Sequence, residues 1–497
     1  MKMNVFKNKK IITAIIVCAI IAGAGCKKTF DINHSPNNPS LDVGTPKIVF
    51  PVSVMAVAGI EGGDLALVGG ILGEYVTQAV ASNQYKPIDQ YDIKTTDLNA
   101  QYTTLFSYGL KNLQFVIDKA RSSEDWNFYL MGNVIKGYAT ALLVDLYDQI
   151  PYTEALKGTG KLTPKFDDGY TIYKALLDSI DAALGKDFSA KTAIDLRATN
   201  EGNVDIIFGG DIDKWKQFAN TLELKLYLRM INAKPAEAQA GIEALYARHA
   251  QFLSVDAQVT GFIDAASESN PLYEQNIRQL NSATNLVASN TFLSFLQVHN
   301  DPRADDYFAP GATGLDQGDF LNTSPAGLGA TVFSESPTDP VMFLSAAESY
   351  FYQAEVRVRY FAGDGAKALY DNGVLAAFSN LGEDGAPFIA PGGEYAYPLG
   401  TNAENLEAII VQKWASFAYG VHFIEGWLER NRTGLPKSSP VYSTNPAYVP
   451  GEFVVSKNSV LPAGQYPKRI VFPDIERSTN PNTPAEVPIT TPVWWGL

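Results

Sequence analysis

Cysteine is almost missing from this chain. There are two, Cys18 and Cys26, and none follows Cys26. That excludes disulfides, thiolate zinc sites, iron–sulfur clusters and a cysteine nucleophile from everything beyond residue 26. Histidine is scarce as well. His34, His249, His299 and His422 are scattered, none in HExxH spacing, and each reads as a surface or satisfied structural histidine. No G-x-S-x-G, P-loop or dinucleotide-binding glycine pattern is present. Positive charge is in deficit: 39 Lys and Arg against 53 Asp and Glu give a formal net charge of -14. Phosphate binding needs clustered Lys and Arg, so nucleic acid is a poor partner. Only 19% of residues are charged and 46% are hydrophobic, which excludes a disordered chain.

The N-terminus reads as an address. Lys2, Lys7, Lys9 and Lys10 precede the uncharged apolar run 11–22, IITAIIVCAIIA, and then Gly23-Ala24-Gly25-Cys26. A positive segment, a short apolar segment and a small-residue junction make a secretory signal. The run falls short of the roughly 20 apolar residues of a membrane span. A cysteine directly after small residues looks like a bacterial lipobox, with Gly23 where leucine is usual. The expected organisation is a signal peptide over 1–25, a lipidated Cys26, and a tether over 26–47 rich in Pro, Asn and Ser. Cleavage before Cys26 removes four lysines and takes the formal charge from -14 to -18. No later run appears long and apolar enough to cross a membrane.

Beyond the tether the periodicity is helical. Leu110, Leu113, Ile117 and Ala120 share one helical face, as do Leu130, Val134, Gly137, Ala141 and Val144. Only Ser122–Asp125 separates these helices, which predicts an antiparallel hairpin. Similar stripes run over 170–187 and 212–233. The stretch 343–380 has small residues at Ala347 and Ala354, a turn at Gly363-Asp364-Gly365, and a second stripe through Ala366, Leu369 and Tyr370. It resembles a tetratricopeptide helix pair. Segments 251–290, 300–342, 380–403 and 431–497 are rich in Pro, Gly, Asn, Ser and Asp, the last with eleven prolines. They are too apolar to be disordered and read as ordered loops, where binding residues concentrate. The expected fold is mainly α: helical hairpins supporting a loop-rich face, in one binding domain over 48–497.

Carboxylates offer no distinctive pattern. Asp145 and Asp148, and Asp178 and Asp181, lie a helical turn apart, a spacing expected to cap or solvate helix ends. Asp301, Asp305, Asp306, Asp316 and Asp319 could offer calcium an oxygen-rich loop but lack EF-hand spacing, and no metal or other cofactor is expected. The loops instead set aromatic rings beside amides. Tyr85 and Tyr91 follow Asn83-Gln84, and Tyr273, Asn276 and Arg278 follow Asn270-Pro271. A sugar packs its C–H face on a ring and gives its hydroxyls to amides or carboxylates, so these five residues form the candidate ligand patch. Pinning the loops to the scaffold is the competing role for each ring.

Several blocks together resemble the SusD/RagB-like nutrient-binding outer-membrane lipoproteins of the Bacteroidetes. They include Phe30-Asp31-Ile32-Asn33 and Pro36-Asn37-Asn38-Pro39 after the lipobox, and LVDLYDQIPY over 143–152, with Asp148 where glycine is usual. Trp215 through Leu222, Leu226 and Arg229-Met230 match a helix in which Lys225 replaces an arginine. Asp301-Pro302-Arg303, Ala347-Glu348, Ala354-Glu355, Gln412-Lys413-Trp414, Trp427, Arg430 to Gly434, Pro436, Arg469 to Pro473, Glu476, Asn480 and Pro492 to Trp495 complete the series. The resemblance implies a helical, tetratricopeptide-like fold without enzymatic activity. It implies a lipid-anchored place on the outer membrane at the cell surface. It implies capture of oligosaccharides, or of peptides in some branches, for a SusC-like TonB-dependent transporter. A surface glycoside hydrolase, or a scaffold that binds only a protein partner, stays open beside it.

Overall fold

The computed structural model describes residues 44–189 and 204–497. The signal, Cys26, His34 and the blocks at 30–33 and 36–39 lie outside the described residues. The principal helices are α1 (Pro46–Ile60), α2 (Ala66–Leu72), α3 (Lys111–Ser123), α4 (Trp126–Tyr147), α5 (Gly169–Leu184) and α6 (Ile212–Met230). They continue with α7 (Pro235–Ala247), α8 (Asn290–Val298), α9 (Ala346–Tyr360), α10 (Ala366–Ser379), α11 (Asn402–Ser416) and α12 (Phe423–Thr433). α1 takes in Pro46 and Lys47, the end of the segment expected to be tether.

The expected hairpins form. α3 ends on Glu124 in the left-handed conformation (φ 55°), and the Asp125 side chain caps α4 by accepting from the Phe128 amide at 3.3 Å. α4 is buried on nearly every side, because α1, α3, α5 and α6 all pack on it. α9 starts from Ser345, whose hydroxyl accepts from the Glu348 amide at 3.0 Å. Gly363 (φ 78°) and Gly365 (φ 75°) then reverse the chain into α10. α11 opens with a capping box between Thr401 and Glu404.

Three two-stranded antiparallel ribbons were not expected. β1 (Val76–Gln78) pairs with β5 (Leu286–Ala288), β2 (Gln149–Pro151) with β3 (Phe166–Asp168), and β4 (Ala257–Val259) with β6 (Val341–Leu344). Phe343 and Leu344, expected to begin a helix, belong to β6. Each strand is too short for its alternation to stand out from a buried helical stripe. The continuous helical stretch Pro46–Leu72 is also long and apolar enough to span a membrane, contrary to expectation. Most of it is buried in the protein, where it serves as a core element. α2 crosses α12 so closely that a Cβ on Gly69 would stand 2.2 Å from the Ile424 nitrogen.

Charged side chains fill the junction between α4, α6, α9, α11 and α12. Arg432 makes paired contacts with Glu355 (2.8 and 2.7 Å) and with Glu429 (3.0 and 2.7 Å). Lys413 lies 2.5 Å from Glu429. Arg229 bridges Glu429, Glu425 (2.6 Å) and Asp145 (3.3 Å), and Lys225 lies 2.6 Å from Glu425. His422 sits between Glu61 (3.1 Å) and Glu348 (3.4 Å). All of these side chains are buried. Asp145 therefore does not solvate a helix end, as its spacing suggested. It is buried, bonded to Tyr173 and accepting from Trp495 Nε1 at 2.7 Å, because its helix face points into the junction. Asp148, with φ 74°, caps the C-terminal strap by accepting from the Trp494 amide at 2.6 Å.

Burial disfavours the charged forms; it prevails at Asp145, whose carboxyl is pushed up, whereas at Glu348 and His422 the pairing outweighs it. Glu348 is held down at about 2 by Lys225 and His422. His422 is raised to about 9 by its bonds to Glu348 and Glu61. A histidine whose folded pKa exceeds its unfolded value near 6.5 stabilises fully below 6.5, and that contribution is lost as pH rises through about 9. Wild-type thermal midpoints should therefore fall between about pH 6.5 and 9.5, and His422→Gln should flatten that part of the profile. Arg432→Met leaves Glu355 and Glu429 short of a partner and should cost about 3–5 kcal/mol in denaturant titration.

Candidate functional site

The five candidate residues divide into a buried knot, a surface pair and an outlier. Asn270 caps the helical turn Pro271–Tyr273, accepting from the amides of Leu272 (2.9 Å) and Tyr273 (3.2 Å), with Pro271 at the first position. The turn continues as a π-helical turn, Glu274–Arg278. Its inner face carries Asn276, which accepts from the Tyr85 hydroxyl at 3.0 Å and donates to Glu335 at 2.6 Å. Tyr85 and Asn276 are buried. Burial pushes the Glu335 carboxyl up to about 8, so it keeps its proton at neutral pH. This knot ties the 79–85 loop to the 271–279 turn, the pinning role that competed with ligand binding.

Tyr91 stands apart. Its ring is buried and its hydroxyl accepts from the Ser456 amide at 3.2 Å, joining it to the C-terminal loop. Tyr273 and Arg278 stay partly open, with the guanidinium 5.4 Å from the ring centre. Arg278 is held by Asp264 (2.5 Å) and Glu274 (3.0 Å).

The outer face of the same turn walls the most spacious of the described cavities, about 1000 Å³. Pro271, Glu274, Gln275 and Gln279 form one side. The opposite side is α1 with the π-helical turn that follows it, Glu61–Leu65. The two π-turns are tied where Gln275 donates to Asp64 at 2.7 Å. π-turns often mark functional sites, because the extra residue per turn re-aims side chains. The floor is apolar: Val52 and Met55 of α1, with Val259 and Phe262. Thr260, Ser267, Ser269 and Glu268 supply polar groups at the rim. Gln101 also lines the cavity. It is only 7% exposed, and its buried Oε1 has no hydrogen-bond partner. An apolar floor with convergent amides, hydroxyls and carboxylates suits a polyhydroxylated ligand with an apolar face.

None of the α1 residues, Asp64 or Gln101 was picked out from sequence, and the 260–269 loop only as part of the loop segment 251–290. The apolar side of α1 that faces the cavity is indistinguishable by periodicity from the side that faces the core. Asp301, Asp316 and Asp319, weighed as calcium ligands, are instead committed to cations: Asp301 to Arg303, and Asp316 and Asp319 to Lys457 at 3.0 and 2.9 Å.

Residues 70–453 match the SusD-like family profile described as "Starch-binding associating with outer membrane". The chain belongs to the SusD-like family. Its fold is similar to that of a SusD homologue from Bacteroides uniformis, at 22% identity and a TM-score of 0.70, covering 90% of this chain and 99% of that one. A chitin-binding SusD homologue from Flavobacterium johnsoniae is similar at 22% identity and a TM-score of 0.64, covering 92% and 96%. A SusD homologue from Bacteroides fragilis gives 18% identity and 0.68, covering 91% and 99%. No curated protein matches the sequence. Several of the SusD-like blocks recognised in the sequence supply the buried ion cluster: Asp145, Arg229, Glu348, Glu355, Lys413 and Arg432. None of them lines the cavity.

Two substitutions separate pinning from binding. Tyr273→Ala should weaken ligand binding and leave the thermal midpoint nearly unchanged, since the ring is half open. Asn276→Ala should lower stability by about 1–3 kcal/mol, because Glu335 and the Tyr85 hydroxyl lose a buried partner. Calorimetry and thermal melts on the two variants read both effects.

Proposed function

We propose that this SusD-like protein is a non-enzymatic binding lipoprotein of the outer membrane. It captures oligosaccharides at the cell surface and delivers them to a SusC-like TonB-dependent transporter. Residues 1–25 direct export, Cys26 carries the lipid, and residues 48–497 act as the binding domain. The observation that carries the reading is the cavity between α1 and the 271–279 turn, with its apolar floor and ring of amides, hydroxyls and carboxylates. Tyr273 extends it along the surface, with Arg278 beside the ring held by Asp264 and Glu274, while Tyr85 and Asn276 hold its wall in place. Two of the similar structures bear the name chitin-binding, so chitin oligosaccharides head the ligand panel.

Glu274 suits binding better than acid catalysis. A glycosidase needs one carboxyl kept protonated as general acid. In the cavity wall, the Ser269 hydroxyl, helped by Arg278, holds Glu274 below the usual carboxylate range, which opposes that role. Weak binding is enough for a carrier: about 4 kcal/mol corresponds to a millimolar dissociation constant.

Calorimetry of a soluble chain starting at Lys27, against chitin and starch oligosaccharides and short peptides, should give saturable heat with an oligosaccharide recovered intact. Cleaved product would overturn the non-enzyme reading, and heat with peptides alone would replace the ligand class. In cells, Cys26→Ser should abolish incorporation of a fatty-acid label and shift the protein out of the outer-membrane fraction.

A further inference from the structure

The charges around the cavity restrict which sugar chains can enter. Glu274 and Asp64 stand on its two walls and Glu268 at the rim. Among the described residues, no Lys, Arg or His lines it. Arg278, which touches the lining residues Glu274 and Ser269, is spent on Asp264 and Glu274 and reaches Ser269 Oγ at 3.4 Å. Glu274 stays ionised, since Ser269 and Arg278 both favour its charged form. An entering ligand therefore meets three carboxylates and no free cation. The buried Gln101 Oε1, lacking a partner, asks for a donor as well. Hydroxyl and amide N–H groups satisfy such a lining, whereas a ligand carboxylate or sulfate would be desolvated beside like charge.

We infer that the cavity selects uncharged glycans and rejects uronate-bearing or sulfated ones. This rests on the reading of the cavity as a glycan site. The selectivity lies in the lining itself, and the acidic body of the chain adds long-range repulsion of the same sign.

The test uses one sugar backbone in two charge states. The neutral oligosaccharide giving the largest heat in the panel, chitohexaose being tried first, is compared with its own C6-oxidised product, in which primary alcohols have become carboxylates. At low salt the oxidised form should bind at least about tenfold more weakly, equivalent to about 1.4 kcal/mol. The gap should shrink toward about 0.5 M NaCl, because salt screens exposed charge. Asp264→Asn, which lies outside the lining and releases one arm of Arg278, should narrow the gap at least about threefold at low salt. Equal or tighter binding of the oxidised form would overturn the charge selection and leave the glycan site standing. A gap indifferent both to salt and to Asp264→Asn would overturn it too, by assigning the discrimination to shape. Failure of every oligosaccharide to bind would overturn the glycan site itself, and this inference with it.

Discussion

The fold turns on a buried exchange of charge. Arg432, Arg229, Lys413, Lys225 and His422 are set among Glu355, Glu429, Glu425, Glu348, Glu61 and Asp145 with no access to solvent. Removing any of these groups from water is costly, and only mutual pairing with near-complete hydrogen bonding offsets the cost. Hydrophobic residues of similar volume could have filled the junction. Ion pairs do something that leucines do not: each demands particular partners at particular distances. Helices that are close neighbours of several others are thereby fixed in one register, and the loops they support inherit that register.

The loops use a second device. Tyr85, Asn276, Asn285 and Glu335 come from separate segments and are joined by side-chain bonds, with Ser82 donating to Asn285 at 2.6 Å. A loop fastened this way can carry an open cavity on its outer face without collapsing into it. The π-turn at Glu274–Arg278 divides the labour, sending Asn276 inward to the knot and Gln275 outward to Asp64. Binding at such a wall requires little ordering of the protein, which lowers the entropic cost of capture.

Much of the scaffold was legible in the sequence. The stripes through Leu130–Val144 and the glycine turn at 363–365 foretold α4 and the α9–α10 hairpin. The blocks around Asp145, Arg229, Glu348 and Lys413 pointed to the family. What those blocks encode, a single ion cluster, was not legible, since partners as far as 361 positions apart meet there only after folding. Asp145 looked like a solvated helix end for that reason. The candidate site was half legible. Rings beside amides found the 271–279 turn, but Asn270 proved to be a helix cap and Tyr85 a loop anchor. The cavity on the other face depends on Val52, Met55 and Gln101, whose sequence context is that of any core-packed helix.

The C-terminal strap bears on the order of events in folding. Trp495 donates to Asp145 and lies 4.9 Å from the Arg229 guanidinium, while the Leu497 amide bonds to Asn431. At the other extreme of the described chain, Glu61 holds His422. The cluster thus recruits residues across almost the whole described length, an arrangement of high contact order that slows folding. A chain emerging N-terminus first cannot complete the ion pairs until Arg432 is free, and Asp145 waits longer for its Trp495 donor. Before Glu429 and Arg432 emerge, several of the cluster's carboxylates and guanidinia lack counterparts, which disfavours early closure of the junction. Late closure of the core thus leaves completion of the fold to the C-terminal third of the chain.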